Sequence, residues 1–476
     1  MRRTTFFVLT AVLVLVMTAA ACGQQAAVEE PAGVEEEAVE EEVEEAETEE
    51  SAEEETAVTG VDARFTIQEH EDLHDALADL YASVFDGEEA AFLEEGAHVE
   101  IVEIDGPVVL GGEEMPAVFL PGYALSVNSE NTDAETFIDF ALSADGQMVL
   151  FTNGLLPESI TIKDQAGEDV EVHMPVWRVI SAHGPTTFMF YAVGAGDRLV
   201  GASYLGARDP NGAAAVERID PRSVGFTTDE YFSQDEFNIE EAIKLDPNLV
   251  AATVRTSWID SVEELGVPVV RYEAETPELL KEAMLMTGRM MGPYGEGRAQ
   301  AWANYYDSVF HQVVVETSTL SEEERVKVLF TGTNPLRVAS GQMYQSAIIE
   351  AAGGVSATTE LVGYWNDVNL EQVAIWDPDV ILVPPYGGAS VEAITESPEW
   401  QILDAVVEGR VYKVPKLVAP WDTPTPDSVL GVIWMADRLY PDLITLDCAV
   451  ETEYYYNTFY DYDISDEEVQ SLCAIE

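Results

Sequence analysis

An α/β fold of two similar lobes joined by one long helix is predicted from three features of the sequence. The first is a repeat: residues 238–250 recur as residues 369–381, and in each copy a glutamate opens a helical turn that a proline ends seven residues later. A short β-branched run then enters a sheet in both copies. The second feature is a regular alternation of strand-like and helix-like segments from Ile160 onward. The third is the stretch 296–316, which has helical periodicity without a proline and would span about 30 Å as a helix.

Length and charge narrow the class of protein. A chain of 476 residues with 47% hydrophobic content suits two or three domains with real cores. The net charge of −68, from 90 acidic and 22 basic residues, argues against nucleic acid or an anionic membrane surface as a partner of the folded part. Such acidity fits a saline habitat or simple solubility, and the sequence does not separate the two.

The N-terminus is typical of an exported protein. Residues 1–21 form a predicted signal peptide with Arg2 and Arg3 ahead of a short apolar core, and Ala19-Ala-Ala-Cys22 closes it. This ending resembles a bacterial lipoprotein signal, in which the cysteine is lipidated, although Ala19 stands where a larger aliphatic residue is usual. Plain secretion is the alternative. We expect an extracytoplasmic protein anchored at Cys22 to the cell membrane, in the periplasm or on the outer face.

Residues 22–60 are a predicted disordered acidic tether, because the stretch 29–55 holds 16 acidic residues and no basic one. Residues 61–158 are a predicted small α+β accessory domain. It has a strand at Tyr123–Val127 and two helices that break at Ser143–Gly146. This part resembles the closing segment of type II solute-binding proteins. It is too short to supply both lobes of such a protein, so we expect no complete ligand site in it.

A possible catalytic motif lies inside this small domain. His70, Glu71 and His74 match the zinc-protease pattern His-Glu-x-x-His, which would place both imidazoles on one helical face. Acidic neighbours such as Glu69 and Asp75 instead favour an ordinary solvated helix, and no third ligand stands out in the sequence. A zinc-dependent hydrolase is therefore kept as an alternative, and we expect no enzymatic activity, no resident metal and no cofactor.

The second half of the chain carries a family resemblance. Residues 160–172 resemble the opening hairpin of periplasmic binding proteins for ferric siderophores, haem and cobalamin, and Tyr191–Gly201 and Trp400–Pro415 resemble further segments of that family. The match runs in order over about residues 159–446. It implies two Rossmann-like lobes at 159–283 and 319–447, a bridging helix at 284–318 and a C-terminal tail at 448–476. It also implies a small-molecule metal complex as ligand, and an ABC permease dimer with its ATPase as partners.

The resemblance also gives the repeated glutamates a function. In this family an acidic residue on each lobe docks into arginine pockets of the two permease subunits, and Glu240 and Glu371 fall at those positions. The other interpretation is structural, because a carboxylate at a helix N-terminus interacts favourably with the helix dipole. Asn238 and Asn369 would then be caps or turn residues. The two interpretations are compatible.

Candidate ligand contacts follow from strand ends, because ligands of open α/β sheets bind beyond the carboxyl ends of the strands. Aromatic rings suit macrocycles and catecholates, an arginine suits an anionic complex, and a histidine or tyrosine suits iron. Packing in the protein interior is the alternative for each residue. The candidates are Trp258, Arg337, Tyr386, Trp421, His183 and Tyr344, with Tyr204 and Trp365 close by.

Besides Cys22, the chain has two cysteines, Cys448 and Cys473. Because the protein is predicted to be exported, we expect them to form a disulfide that pins the C-terminal tail, and two free thiols are the alternative in a reducing compartment. Taken together, the sequence predicts a lipid-anchored solute-binding component of an ABC importer. A surface receptor that works without a permease is the main alternative.

Overall fold

The computed structural model describes residues 63–104, 117–128, 131–203, 210–226, 232 and 236–474. The predicted signal peptide, Cys22 and the acidic tether lie outside these residues, as does Tyr204. The described part is a mixed α/β structure with parallel sheets. This confirms the fold class predicted from the sequence. Within this part no helix combines the length and the apolar character needed to cross a membrane.

The small domain is a five-stranded sheet in the order β2-β1-β3-β5-β4 with three helices. Rings of Phe65, Tyr81 and Phe137 meet in its core at centroid distances of 5.1–6.4 Å. The predicted strand at Tyr123–Val127 and the break between two helices at Ser143 are both confirmed. Its elements are β1 (Thr66–Gln68), α1 (His74–Val84), β2 (Ala91–Leu93), β3 (Val99–Glu103), β4 (Ala117–Leu120), β5 (Tyr123–Val127), α2 (Thr132–Leu142) and α3 (Ala144–Thr152).

The first lobe is a four-stranded parallel sheet in the order β11-β10-β8-β9. Its strands are almost fully buried, as expected for a parallel sheet covered by helices. An antiparallel hairpin of β6 and β7 precedes it, as the resemblance implied. The elements are β6 (Ser159–Lys163), β7 (Asp169–His173), β8 (Val179–Ser181), α4 (Gly184–Ala192), β9 (Leu199–Ala202), α5 (Pro210–Ile219), α6 (Ile239–Leu245), β10 (Leu249–Thr253), α7 (Ile259–Glu263), β11 (Val269–Tyr272) and α8 (Pro277–Met290).

A long helix, α9 (Gly292–Thr317), leads from the first lobe to the second. Its 26 residues extend over about 39 Å. Gly292 has a φ of +84°, which separates α9 from α8. Residues 284–290 therefore belong to α8 and not to the long helix. The division of the chain into domains at 159, 284, 319 and 448 stays a prediction.

The second lobe repeats the plan with a parallel sheet in the order β14-β12-β16-β17. The sequence predicts seven strands in the two lobes, and all are present, each within two residues of its predicted ends: 177–181, 199–203, 249–254, 267–272, 326–331, 380–383 and 410–414. An antiparallel pair, β13 with β15, was not predicted. The elements are β12 (Lys327–Phe330), β13 (Arg337–Ala339), α10 (Tyr344–Ala351), β14 (Val355–Ser356), β15 (Trp365–Asp367), α11 (Leu370–Trp376), β16 (Val380–Val383), α12 (Val391–Thr395), α13 (Asp404–Val407), β17 (Val411–Lys413) and α14 (Ser428–Leu439).

The C-terminal segment packs against both the long helix and the second lobe. It consists of α15 (Cys448–Tyr460) and α16 (Asp466–Cys473), and the Sγ atoms of Cys448 and Cys473 form a disulfide. Arg298 of α9 is 3% exposed, and its Nη2 donates to the carbonyl oxygens of Thr458 at 3.1 Å and Phe459 at 2.9 Å. Because a buried guanidinium has few alternative partners, these bonds fasten the C-terminal helix to the long helix.

Candidate ligand-binding cleft

The carboxyl ends of the parallel strands carry polar side chains in both lobes. In the first lobe His183 follows β8, Ser203 follows β9 and Arg255 follows β10. In the second lobe Tyr386 follows β16, and Asp422 lies in the segment after β17. These edges are where ligands of open α/β sheets bind.

A contact between Arg255 and Tyr364 joins the two edges. Arg255 lies in the first lobe, and its Nη1 donates to the Tyr364 hydroxyl of the second lobe, 109 residues away. The guanidinium carbon also lies 5.1 Å from the centroid of the Tyr364 ring, within cation–π range. On its own lobe Arg255 is held by Glu275, whose Oε1 accepts from Nη1 and Nη2 at 3.0 Å. The carboxyl edges of the two sheets therefore face each other across a cleft.

Electrostatics keep the Arg255 guanidinium charged. Burial alone would lower its pKa, but Glu275 and Tyr364 have the opposite effect, and the pKa lies above its ordinary value. The pKa of His183 is shifted in the opposite direction. Burial, and after it the charge of Arg255, lower the pKa of its imidazole to about 3. His183 is therefore neutral at physiological pH, with Nδ1 2.9 Å from Thr186 Oγ1. A neutral imidazole is the form that ligates metals.

A buried carboxylate organises the edge of the second lobe. Asp422 has no exposed surface, and its Oδ2 accepts from the Tyr386 hydroxyl at 2.6 Å and from Gln345 Nε2 at 3.4 Å. Burial raises the pKa of Asp422 to about 6, although both hydrogen bonds lower it. Asp422 Oδ1 and Gln345 Oε1 are buried without a hydrogen-bond partner in the structure. Unsatisfied buried acceptors of this kind are rare and need a physical reason.

The first lobe has unpaired buried groups at its own edge. The Oγ of Ser203 and the Oγ1 of Thr256 are buried and lack a partner in the structure. Thr256 also lines a cavity of about 660 Å³ that runs along β7, α7 and β11, on the same lobe. Carboxylates of Glu168, Asp169 and Asp260 line much of this cavity. Unpaired polar groups therefore occur at the carboxyl edges of both sheets.

Two of the predicted ligand residues lie beneath the surface. Trp421 is 0% exposed, and its indole Nε1 donates to the Tyr456 hydroxyl at 3.1 Å. Tyr344 is also 0% exposed, and its hydroxyl lies 2.6 Å from Ser428 Oγ. In this structure both rings are part of the packing that supports the cleft. Contact of a ligand with either ring stays a prediction.

Two further predicted residues contact other side chains of their own lobes. The Trp258 ring stacks on Phe237 at a centroid distance of 4.3 Å. Arg337 begins β13 with 44% of its side chain exposed, and its Nη1 is 3.8 Å from Asp367 Oδ1. Two of the six predicted residues interact with groups at the carboxyl edges. His183 is affected by the charge of Arg255, and Tyr386 donates to Asp422. Ligand contact by any of the six stays a prediction.

Sequence reasoning missed Arg255, Tyr364, Gln345 and Asp422. Arg255 had a detectable signal, because it comes two residues after β10, a strand that the sequence predicted. Asp422 directly follows Trp421, and of this pair only the aromatic residue was predicted as a ligand contact. No local pattern marks Tyr364 or Gln345, whose importance comes from partners distant in the sequence.

The two repeated glutamates are exposed on matching helices. Glu240 lies in the first turn of α6 and Glu371 in the first turn of α11. In both helices an asparagine side chain caps the N-terminus, accepting from the backbone N–H of Glu241 at 3.1 Å and of Gln372 at 2.9 Å. Both helices end at an aspartate in the left-handed region, with φ of 46° and 49°. The same unit is thus built twice, once on each lobe.

The zinc-protease pattern does not form a single helical face. Helix α1 begins at His74, so His70 precedes it in a non-helical segment. The His74 Nδ1 is 2.9 Å from Glu69 Oε1, and its ring packs on Phe92 at 4.2 Å. Across the residues the structure describes, no group of three or more His, Cys, Asp or Glu side chains is arranged to hold a metal ion.

Three known proteins illustrate what the chain is similar to. The molybdate-binding protein MolA of Haemophilus influenzae is 24% identical over 47% of this chain and 70% of its own length. Its solved structure with molybdate has a TM-score of 0.58 and 19% identity, and covers 64% of this chain and 99% of MolA.

Two further relatives are similar to the chain in sequence. An uncharacterised ABC transporter substrate-binding lipoprotein of Bacillus subtilis, YvrC, is 23% identical over 60% of this chain and 86% of its own length. The vitamin B12-binding protein of Yersinia pestis is 26% identical over 48% of this chain and 74% of its own length.

A family model described as periplasmic binding protein matches residues 179–417, half of the chain. This span begins at the first strand of the first lobe, β8, and ends after the last strand of the second lobe, β17. It includes both glutamate-bearing helices and the residues that follow β8, β9, β10 and β16, and it ends five residues before Asp422. The resemblance predicted from the sequence is confirmed, and the chain belongs to the periplasmic binding protein family.

Proposed function

We propose that this chain is the extracytoplasmic solute-binding component of an ABC importer. In this proposal it captures a metal complex of the iron–siderophore, haem or cobalamin type between its two lobes and delivers it to a permease dimer driven by an ATPase. Cys22 anchors it to the cell membrane through a lipid. It carries out no chemistry on its ligand.

The observation that carries this proposal is the glutamate-bearing helix built once on each lobe. Two identical caps, two left-handed aspartates and two exposed carboxylates present the same surface twice. A partner that binds both surfaces must itself have two similar faces, as a dimer does. Such a partner suits the two subunits of a permease. Glu240 and Glu371 would each meet a cation on one subunit.

The cleft supports a ligand that offers both polar and metal groups. Neutral His183 suits a metal centre, and the charged Arg255 suits an anionic group on the complex. Tyr386 is a further contact candidate, because its ring lies at the carboxyl edge of the second lobe and its hydroxyl is held by Asp422. Trp258, which comes three residues after Arg255, and Arg337, which begins β13, remain candidates as well.

The test separates docking from ligand capture. Glu240→Lys and Glu371→Lys would be introduced singly and together into the full-length chain, in cells that import cyanocobalamin, ferrichrome or haem only through this receptor and its permease. Uptake of the transported probe should fall at least tenfold in the double variant, because two attractive contacts become repulsive. Titration of the purified variant should give the wild-type dissociation constant for that probe.

Matched controls carry the same change of charge on other short helices. Glu263→Lys lies on α7 of the first lobe, and Glu392→Lys lies in the first turn of α12 of the second lobe. Both should leave uptake intact. Unchanged uptake in the Glu240/Glu371 double variant, with normal ligand binding, would favour a surface receptor that works without a permease.

A further inference from the structure

The two glutamate-bearing helices, α6 and α11, each expose a large apolar side chain beside the glutamate. Ile243 lies three residues after Glu240, and Ile375 lies four residues after Glu371. Residues three or four positions apart are neighbours on one face of a helix. The side chain of Ile243 is 59% exposed and that of Ile375 is 75% exposed. Each lobe therefore presents a carboxylate and an isoleucine side by side.

This exposure of isoleucine is unusual for the chain. Among the residues that the structure describes, Ile402 is the one other exposed isoleucine, and Ile375 is the most exposed large apolar side chain. Isoleucine is otherwise one of the residues most often fully buried. The two helices have seven residues each, yet they hold two of these three exposed isoleucines. A single exposed apolar residue needs no explanation, but the same feature on both copies of a repeat indicates a shared function.

Both helices are also fixed in the same way at their C-terminal ends. The Nε of Arg178 donates to the carbonyl oxygen of Leu245 at 2.7 Å, and the Nζ of Lys327 donates to that of Trp376 at 2.9 Å. Leu245 and Trp376 occupy the same position in the two copies of the repeat. A cation at the last carbonyls stabilises the end of a helix. Because each helix is held at both ends, its outer face is in place before a partner binds, and less entropy is lost on binding.

We propose that Ile243 and Ile375 belong to the permease-docking surfaces. Each isoleucine inserts into an apolar recess of one permease subunit, beside the cation that the neighbouring glutamate meets. This inference rests on the proposed function, because it extends the same two surfaces. The occupant is the permease dimer, with one subunit on each lobe, since a partner of two like subunits fits a pair of groups that is presented twice.

The apolar contact strengthens an ion pair that is weak when it stands alone. Glu240 and Glu371 are both exposed. An exposed ion pair contributes little to affinity, and salt weakens it further. An isoleucine that covers the pair excludes water from it, and contacts that exclude water surround the strongest residues of protein interfaces. Burial of the isoleucine also adds an attraction that salt does not screen.

Serine variants test the contact, because serine removes the apolar side chain and has a helix propensity similar to that of isoleucine. Ile243→Ser and Ile375→Ser would be made singly and together in the mature chain. Bio-layer interferometry would give the dissociation constant for the permease–ATPase complex that imports cyanocobalamin, ferrichrome or haem, held in lipid nanodiscs. Each single variant should bind about tenfold more weakly and the double variant about 100-fold, because contacts on different lobes are additive.

Ile402→Ser and Val224→Ser are the matched controls, at side chains that are 63% and 70% exposed and lie outside the two helices. Both should leave the affinity for the permease unchanged. Ile243→Leu with Ile375→Leu should bind within about threefold of the wild type, because leucine restores the apolar contact. All of these variants should melt within about two degrees of the wild type, because their side chains lie at the surface.

Salt separates the isoleucine contact from the charge contact. The loss of affinity caused by Glu240→Gln with Glu371→Gln should shrink between about 0.1 M and 1 M sodium chloride, as the Debye length falls from about 10 Å to about 3 Å. The loss caused by the double serine variant should not shrink, since the burial of apolar surface is not screened.

Two results would overturn this inference and leave the proposed function standing. One is a double serine variant that binds the permease as the wild type does, while Glu240→Lys with Glu371→Lys abolishes binding. The other is an equal loss of affinity in Ile402→Ser and Val224→Ser, because any exposed apolar side chain would then have the same effect. Unchanged binding in both the lysine and the serine double variants, or a wild type without affinity for the permease, would overturn the docking surfaces and this inference together.

Discussion

The pH dependence of stability offers a quantitative test of the buried network around Asp427. This carboxyl lies under the C-terminal helix, between the Tyr456 and Tyr460 hydroxyls and the backbone of Ala419. Burial raises its pKa from 3.8 to about 6, and the hydrogen bonds it accepts oppose that rise. The perturbation we propose is Asp427→Asn, which removes the titration and keeps the shape.

The sign of the effect follows from proton binding. Between pH 3.8 and about 6 the folded state holds the proton of Asp427 more often than the unfolded state does. Stability from this group is therefore lost as the pH rises through that window. A shift of about two pKa units corresponds to about 3 kcal/mol. Between pH 4 and pH 7 the free energy of unfolding of the wild type should fall by about 3 kcal/mol relative to that of the variant. Above pH 7 the difference should change little.

Urea unfolding, monitored by tryptophan fluorescence at a series of pH values, measures the difference in the free energy of unfolding between the wild type and the variant. Trp421 is a suitable reporter because its indole donates to Tyr456, a partner of Asp427. Subtracting the free energy of unfolding of the variant from that of the wild type at each pH cancels the contribution of Asp422 and of the many surface carboxylates. A difference that does not change with pH for Asp427→Asn would refute the reasoning.

Two more stability predictions follow from close packing. Arg298→Met should lower the free energy of unfolding by about 3 kcal/mol, because it leaves buried carbonyls of the C-terminal helix unpaired. Arg337→Met is the control, at a side chain 44% exposed. In the same urea titration it should lower the free energy of unfolding by less than about 1 kcal/mol. Gly431→Ala should lower the melting temperature by several degrees, since its Cβ would lie 2.1 Å from the Trp421 carbonyl oxygen. Gly225→Ala, with no atom within 4 Å of its Cβ, should melt within a degree of the wild type, and equal melting of both variants would contradict the packing argument.

Much of the fold could be predicted because its signals are local. The β-branched runs at Leu249–Thr253 and Val380–Val383 and the prolines ahead of them mark two strands and two helix ends within a few residues. The short strands β13 and β15 were missed because each has only three residues and gains its stability from the other. A strand of that length has too few residues to show a period of its own.

The candidate site was less predictable than the fold. Strand ends led to His183 and Tyr386, which lie at the carboxyl edges of the two sheets, and their contact with a ligand stays a prediction. Strand ends also led to Trp421, but that ring is turned into the core while the next residue, Asp422, carries the unpaired oxygen. Position after a strand predicts proximity to a cleft, and it does not predict which way a side chain points.

By itself, the sequence determined that this protein has two similar lobes, a long helix between them and one glutamate-bearing helix on each, because periodicity, caps and prolines act over a few residues. Only the tertiary structure decided that Arg255 meets Tyr364 across the cleft and that Asp422 and Gln345 keep unpaired acceptors. Those outcomes depend on burial and on partners as far as 109 residues apart. Desolvation and hydrogen-bond pairing are properties of the packed chain, and no local pattern encodes them.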